Sequence, residues 1–228
     1  LGGWSLKCQA SELKEKVMTL KIPGFKYLED IDSTIPHRIL YAGNDNIIGR
    51  PIAGYLAPRC IVSEVLGKNL SAVQKDAQSL GLSLLVYDAY RPFRAVEDFV
   101  FWSQDTHDQI KKDFFYPRVN KADFFALGYV GMRSYHCRGA AVDVTLVPLS
   151  PYNEPLIDQP LDMGTVFDYM DELSHTENTS IGSGAQENRQ RLCRLMEKHG
   201  FENYPHEWWH FNLKEEPFPH TYFDFPVG

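Results

Sequence analysis

An α+β fold, with helices packed on a largely antiparallel sheet, is what this sequence predicts, and three observations predict it. Stretches with helical spacing alternate with short β-branched or aromatic runs along the chain. The connections between those runs are not the regular crossovers of a parallel α/β sheet. At 228 residues and 43% hydrophobic content, the chain is long enough to bury one sizeable core.

The elements follow in order. Residues 1–60 read as irregular, rich in Gly, Pro and Asn, with short apolar pieces such as Ile39-Leu40-Tyr41, and residues 1–38 read as an irregular N-terminal extension of a single domain spanning 1–228. Val62, Val65, Leu66, Leu70, Val73 and Ala77 recur at helical spacing and predict a helix over 62–80, stopped by Gly81. The apolar run at 82–87 predicts a buried strand. It ends in Asp88-Ala89-Tyr90-Arg91-Pro92, where Pro92 biases Arg91 away from helix. A second helix is expected over 94–104, with Val96, Phe99 and Val100 on one face. Residues 138–149 read as a turn entering a β-branched strand, and 172–187, poor in apolar groups, as a mobile surface loop. Leu192, Leu195 and Met196 mark a helix over 187–199 closed by Gly200, and 208–213 reads as a last strand.

Composition excludes several classes. The net charge is −7, with no basic cluster denser than Lys111-Lys112, so the phosphate-neutralising stripe of a nucleic-acid binder is missing. No run reaches the roughly 18 apolar residues of a membrane-spanning helix, and no charged segment followed by an apolar run opens the chain as an uncleaved signal peptide would. Cys8, Cys60, Cys137 and Cys193 lie far apart, which favours free thiols over a framework or a Cys-based zinc site; a Cys8–Cys60 bridge is the alternative for an exported protein.

The residues that carry chemistry fall in three clusters. His136 and Asp143 are seven apart, an odd separation that would place them on opposite faces of a flat strand; Gly139 and the alanines beside it offer a bend that lets both converge. Imidazole nitrogen and carboxylate oxygen are both zinc donors, although a core histidine and an arginine-paired aspartate would look the same. The second cluster, His206-Glu207-Trp208-Trp209-His210, matches the H-E-x-x-H pattern of helix-borne metalloproteases. Pro205 and the aromatic residues argue against a helix there, and Phe218-Pro219 and Phe225-Pro226 against a later helix carrying a third ligand. The alternative uses His136, Asp143 and His210 as three ligands with an open position for water, and Glu207 beside them, off the metal, as general base. The tryptophans read as core packing. Arg91, where a buried strand leaves the core, is the third element: either an oxyanion donor or a salt-bridge partner of Asp88 or Glu97.

Taken together, Ser-x-His-x-x-Gly-x-Ala-x-Asp at 134–143, Glu-x-Trp-His at 207–210 and Asp-Ala-Tyr-Arg-Pro at 88–92 resemble the D-alanyl-D-alanine dipeptidases of the VanX type. Gly54-Tyr55-Leu56-Ala57-Pro58-Arg59-Cys60 and Leu161-Asp162-Met163-Gly164-Thr165 agree, so the likeness runs in order from about residue 39 to 213. The resemblance implies a D,D-peptidase or hedgehog-like fold and a bacterial enzyme, of cytoplasm or periplasm, that hydrolyses the small dipeptide D-Ala-D-Ala with one Zn²⁺ per chain. It implies His136, Asp143 and His210 as ligands, Glu207 as base and Arg91 at the tetrahedral intermediate. Ser134 and Asp162 are implied as substrate contacts, with Asp162 answering the dipeptide's ammonium. The family has no histidine at the position of His206. A D,D-carboxypeptidase or endopeptidase acting on peptidoglycan stems is the alternative of the same chemistry. A non-catalytic binding module would have no need of Glu207 and Arg91.

Overall fold

The computed structural model describes residues 20–228. Its elements are β1 (Phe25–Tyr27), α1 (Leu28–Ile31), β2 (Ile61–Ser63), α2 (Glu64–Ser79), β3 (Leu82–Asp88), α3 (Phe93–Gln104), α4 (Lys112–Phe115), β4 (Ala141–Pro148), α5 (Ser183–Glu197), β5 (Phe201–Asn203) and β6 (His210–Leu213). A four-stranded sheet runs in the order β3-β4-β6-β5 with every neighbouring pair antiparallel, and β1 pairs with β2 in a separate antiparallel ribbon. The α+β expectation is met.

Strand β4 is the centre of the sheet, and residues Ala141 to Val147 are all buried. Val142, Val144 and Leu146 pair with Phe211, Val86 and Leu84, an apolar row on one face. The opposite face carries Ala141, Asp143 and Thr145. Register slips between Val86 and Asp88, so that Asp88 lies opposite Asp143. A regular strand would keep Asp88 on the face of Leu84 and Val86; the extra residue, Tyr87, turns it to the polar face.

Helix α2 begins two residues later than its apolar spacing predicts. Val62 belongs to β2, and Ser63 is the cap, its Oγ accepting the Leu66 N–H at 3.3 Å. Leu66, Leu70, Val73 and Ala77 form the buried stripe, each large aliphatic side chain contributing about 1.5–3 kcal/mol by leaving water. The Ser63 hydroxyl also donates to Gly139 O at 2.6 Å, tying the helix start to the turn that leads into β4.

Two expectations are corrected. Residues 172–187 are not a mobile loop: Ser174 and Thr176 are buried, and α5 starts at Ser183 rather than 187. Arg189, fully buried, donates to Met163 O at 2.7 Å, His175 O at 2.7 Å and Leu173 O at 2.8 Å, which pins the segment to α5. Its stripe runs Ala185, Arg189, Leu192, Met196, and an arginine in a core position hides it from a hydrophobicity pattern. Residues 25–38 do not stand apart as an extension either, since Tyr27, Leu28 and Ile35 are in the core and β1 pairs with β2. Cys8 lies outside the described residues, and with it the Cys8–Cys60 pairing; Cys137 and Cys193 are free thiols. Among the described residues no helix is long and apolar enough to cross a membrane.

Candidate metal centre and its cavity

One row of the sheet builds the site. Asp88 on β3 lies opposite Asp143 on β4, which lies opposite His210 on β6, so the three project from one face. His136 joins them from the one-turn 3-10 segment His136–Arg138 just before β4. The turn closes through Gly139 at φ +61°, and a Cβ there would come within 2.7 Å of the Phe25 ring, so only glycine fits.

Second contacts orient both imidazoles. His136 Nδ1 lies 2.6 Å from Ala89 O, a carbonyl that can only accept, so Nδ1 carries the proton and Nε2 a lone pair. His210 Nε2 lies 3.0 Å from Asn212 Oδ1, which leaves the lone pair on Nδ1. Those two lone-pair nitrogens are 3.3 Å apart. Asp143 Oδ1 is 3.3 Å from the first and 3.1 Å from the second, and although buried it forms no well-directed hydrogen bond with either. Tetrahedral donors at about 2.0–2.1 Å from a zinc ion are spaced roughly 3.3–3.4 Å from one another. The residues present fit that ion: two imidazole nitrogens, each with its ring's other nitrogen turned to a second contact, and one carboxylate oxygen converge on one point.

The electrostatics agree. Burial works to raise the Asp143 carboxyl, but His136 and His210 hold it well below the usual carboxylate range. Burial keeps His136 below its ordinary value, in the neutral form a ligand needs. For His210, burial is outweighed by Asp143, and its pKa is raised in the metal-free protein.

Glu207 sits in the turn before β6, with Oε2 3.6 Å from His210 Nδ1. Burial pushes its carboxyl up from 4.5 to about 7. The turn is held by the Glu207 N–H donating to Tyr204 O and the His210 N–H donating to Glu207 O, a one-turn bend and not the helix of an H-E-x-x-H protease. His206 lies away from the triad, stacked on His175 with ring centroids 4.6 Å apart. Trp208 and Trp209 are core residues, as expected, and Trp209 also walls the cavity.

Arg91 is an ion-pair partner of Asp88, one of the two expectations for it, and of Asp143 as well. Its Nε donates to Asp88 Oδ2 at 2.9 Å and its Nη2 to Asp143 Oδ2 at 3.1 Å. Nη1 has no hydrogen-bond partner among the described residues, and the side chain lines the cavity.

The cavity above the triad has a volume of about 290 Å³. Ser134 lines it, its Oγ accepting the His136 N–H at 3.2 Å. Asp162 does not. It is exposed in a separate depression, and its Oδ1 accepts the Gly164 N–H at 2.8 Å, serving the turn at Gly164. The carboxylate that faces the cavity is Asp168, buried and held by the Tyr41 hydroxyl at 2.9 Å and 3.1 Å from its two oxygens. Burial raises the Asp168 carboxyl well above its ordinary value. Sequence reasoning missed both Tyr41 and Asp168. The available signal was a carboxylate inside the apolar stretch Val166-Phe167-Asp168-Tyr169-Met170.

A family model described as D-ala-D-ala dipeptidase matches residues 22–228. The chain is 38% identical to the D-alanyl-D-alanine dipeptidase of Enterococcus faecium and 41% identical to that of Streptomyces coelicolor, each over 90% of this chain and 98% of the relative. The enzyme of the same description from Enterococcus faecalis is 37% identical over the same shares. Among solved structures, a D,D-pentapeptidase VanY in complex with Zn(II) aligns at 15% identity with a TM-score of 0.40, covering 71% of this chain and 77% of that one. With a family model spanning nearly every described residue and relatives this similar over almost their whole length, the chain belongs to the D-ala-D-ala dipeptidase family of metallopeptidases.

Proposed function

We propose that this enzyme is a zinc-dependent dipeptidase that hydrolyses D-Ala-D-Ala to two D-alanines. The observation that carries the reading is the convergence of three donor atoms, His136 Nε2, Asp143 Oδ1 and His210 Nδ1, all 3.1–3.3 Å apart, with Glu207 beside them. The relatives described as D-alanyl-D-alanine dipeptidases supply the substrate class.

When bound, a zinc ion supplies the Lewis acidity that lowers the pKa of a water from 15.7 to about 7. Glu207 is the base: its carboxylate accepts no hydrogen bond from the described residues and faces the cavity, so it is free to take the attacking water's proton and return it to the leaving amine. Arg91, fixed by Asp88 and Asp143, aims its remaining donors at the oxyanion that forms on the scissile carbonyl. Asp168, buried with Tyr41, takes the role first given to Asp162: the dipeptide's ammonium supplies the counter-charge that favours its ionised form. Trp209, Phe99 and Trp102 on the cavity wall exclude bulk water.

The decisive experiment compares D-Ala-D-Ala, L-Ala-L-Ala and N-acetyl-D-Ala-D-Ala on the zinc-loaded enzyme. Cleavage of the first alone is expected. Cleavage of the acetylated compound at a similar rate would replace this reading with a D,D-carboxypeptidase.

A further inference from the structure

A free dipeptide is a zwitterion, and the cavity treats its two charges unequally. Asp143, Asp168 and Glu207 all line it and offer acceptors to an ammonium, whereas a carboxylate at the other end of the dipeptide needs hydrogen-bond donors. A bound zinc ion would be engaged by its three ligands and the reacting centre, so those donors must come from elsewhere on the wall. Two arginines line the cavity, Arg91 and Arg133. Arg91 is already neutralised by Asp88 and Asp143. It is also the guanidinium whose charge is felt at Asp168 and Glu207, which places it with the acidic groups.

Arg133 is different. It is exposed at the rim, and it has no ion-pair or hydrogen-bond partner among the described residues. It directly precedes Ser134, whose Oγ already accepts the His136 N–H at 3.2 Å, so the hydroxyl hydrogen is left to donate outward. A guanidinium and a hydroxyl on adjacent residues, both on the cavity wall and both with donors to spare, form a carboxylate-binding pair.

Resting on the dipeptidase reading above, we infer that Arg133 recognises the C-terminal carboxylate of the substrate, making it a specificity-determining residue that restricts the enzyme to peptides with a free C-terminus beside the scissile bond. The exposed position dilutes the charge with solvent, so one charge-assisted contact there is worth about tenfold in KM.

The test uses the zinc-loaded enzyme, the variants Arg133→Ala and Arg133→Lys, and two substrates, D-Ala-D-Ala and its C-terminal amide. For Arg133→Ala the KM for D-Ala-D-Ala is expected to rise about tenfold, with a much smaller change in kcat, while the KM for the amide stays within about twofold of wild type. Arg133→Lys keeps the charge and recovers part of the loss. An unchanged KM for D-Ala-D-Ala overturns the inference, as does an equal rise for both substrates, which would make Arg133 a structural rim residue. Failure of the wild type to cleave D-Ala-D-Ala is a separate outcome that removes the dipeptidase reading and this inference with it.

Discussion

His136 Nε2 and His210 Nδ1 face each other across 3.3 Å. Each ring spends its proton on a second contact, with Ala89 O and Asn212 Oδ1. With the buried Asp143 Oδ1 completing the triangle, the fold brings three potential metal donors together. A cation that binds the folded state alone adds RT ln(1 + [L]/Kd), about 4 kcal/mol at a thousandfold excess over Kd. Chelation should therefore lower Tm by several degrees, and zinc should restore it. Calorimetry with and without chelator checks this, and His210→Ala should erase the difference. Identical melting curves for chelated and zinc-loaded protein would remove the metal from the site.

Glu207 stands beside that triangle without belonging to it. Its Oε2 lies 3.6 Å from His210 Nδ1, and the cluster of candidate ligands comprises His136, Asp143 and His210 without it. Glu207→Ala should keep one zinc per chain while lowering kcat by a factor on the order of 10² to 10⁴, the range of a general base. Metal analysis and steady-state kinetics on the same sample separate the two effects. Loss of zinc would make Glu207 a ligand, and retained activity would move the base elsewhere.

How much of this was legible before folding depends on where each constraint lies. His136 and Asp143 were readable because the bend that joins them is local, at Gly139, where a side chain would strike Phe25. Glu207 and His210 were readable because Pro205 and two tryptophans exclude the helical alternative within a few residues. Asp168 was not readable: its place on the cavity wall is held by Tyr41, 127 positions away. The bulge at Tyr87 that turns Asp88 toward the site is equally invisible, because the run Leu82–Tyr87 looks like an unbroken strand. The start of α5 was misjudged for a chemical reason, since Arg189 occupies a core position that hydrophobic spacing cannot register.

Asp168 and Asp162 can be told apart by experiment. Asp168 is buried against Tyr41 in the cavity, whereas Asp162 is exposed and caps the turn at Gly164. Asp168→Asn should lower kcat/KM for D-Ala-D-Ala about 10- to 100-fold, the worth of a hydrogen bond to a charged group. Asp162→Asn should change it less than twofold. The reverse ranking would restore Asp162 as the ammonium partner.

Arg189 makes a prediction about stability. It reaches Met163, Leu173 and His175 carbonyls from the core without an ion-pair partner among the described residues, and burial lowers its pKa to about 10. Lysine, a single ammonium on a linear stem, cannot span all three. Arg189→Lys should leave at least one buried carbonyl unpaired and cost about 1–3 kcal/mol in urea unfolding. A cost below 0.5 kcal/mol would show that water replaces the guanidinium without penalty.

Glu207 contributes to the pH dependence of the chelated protein. Burial pushes its carboxyl from 4.5 to about 7, while the unfolded chain ionises near 4.3. A folded pKa raised above the unfolded one means that the fold prefers the neutral acid. The resulting stabilisation is complete below about pH 4 and is lost as pH rises to about 7. Asp168, raised by burial, and His210, raised by Asp143, act in the same direction and His136, lowered by burial, in the opposite one, so the profile of the wild type alone mixes them all. Glu207→Gln isolates one of them, because the amide stays neutral throughout. In urea unfolding of chelated protein at pH 5 and pH 8, the wild type should lose about 2 kcal/mol more than Glu207→Gln over that interval. Equal losses would mean that the Glu207 carboxylate is as well solvated in the fold as in the unfolded chain, and that its chamber is wet.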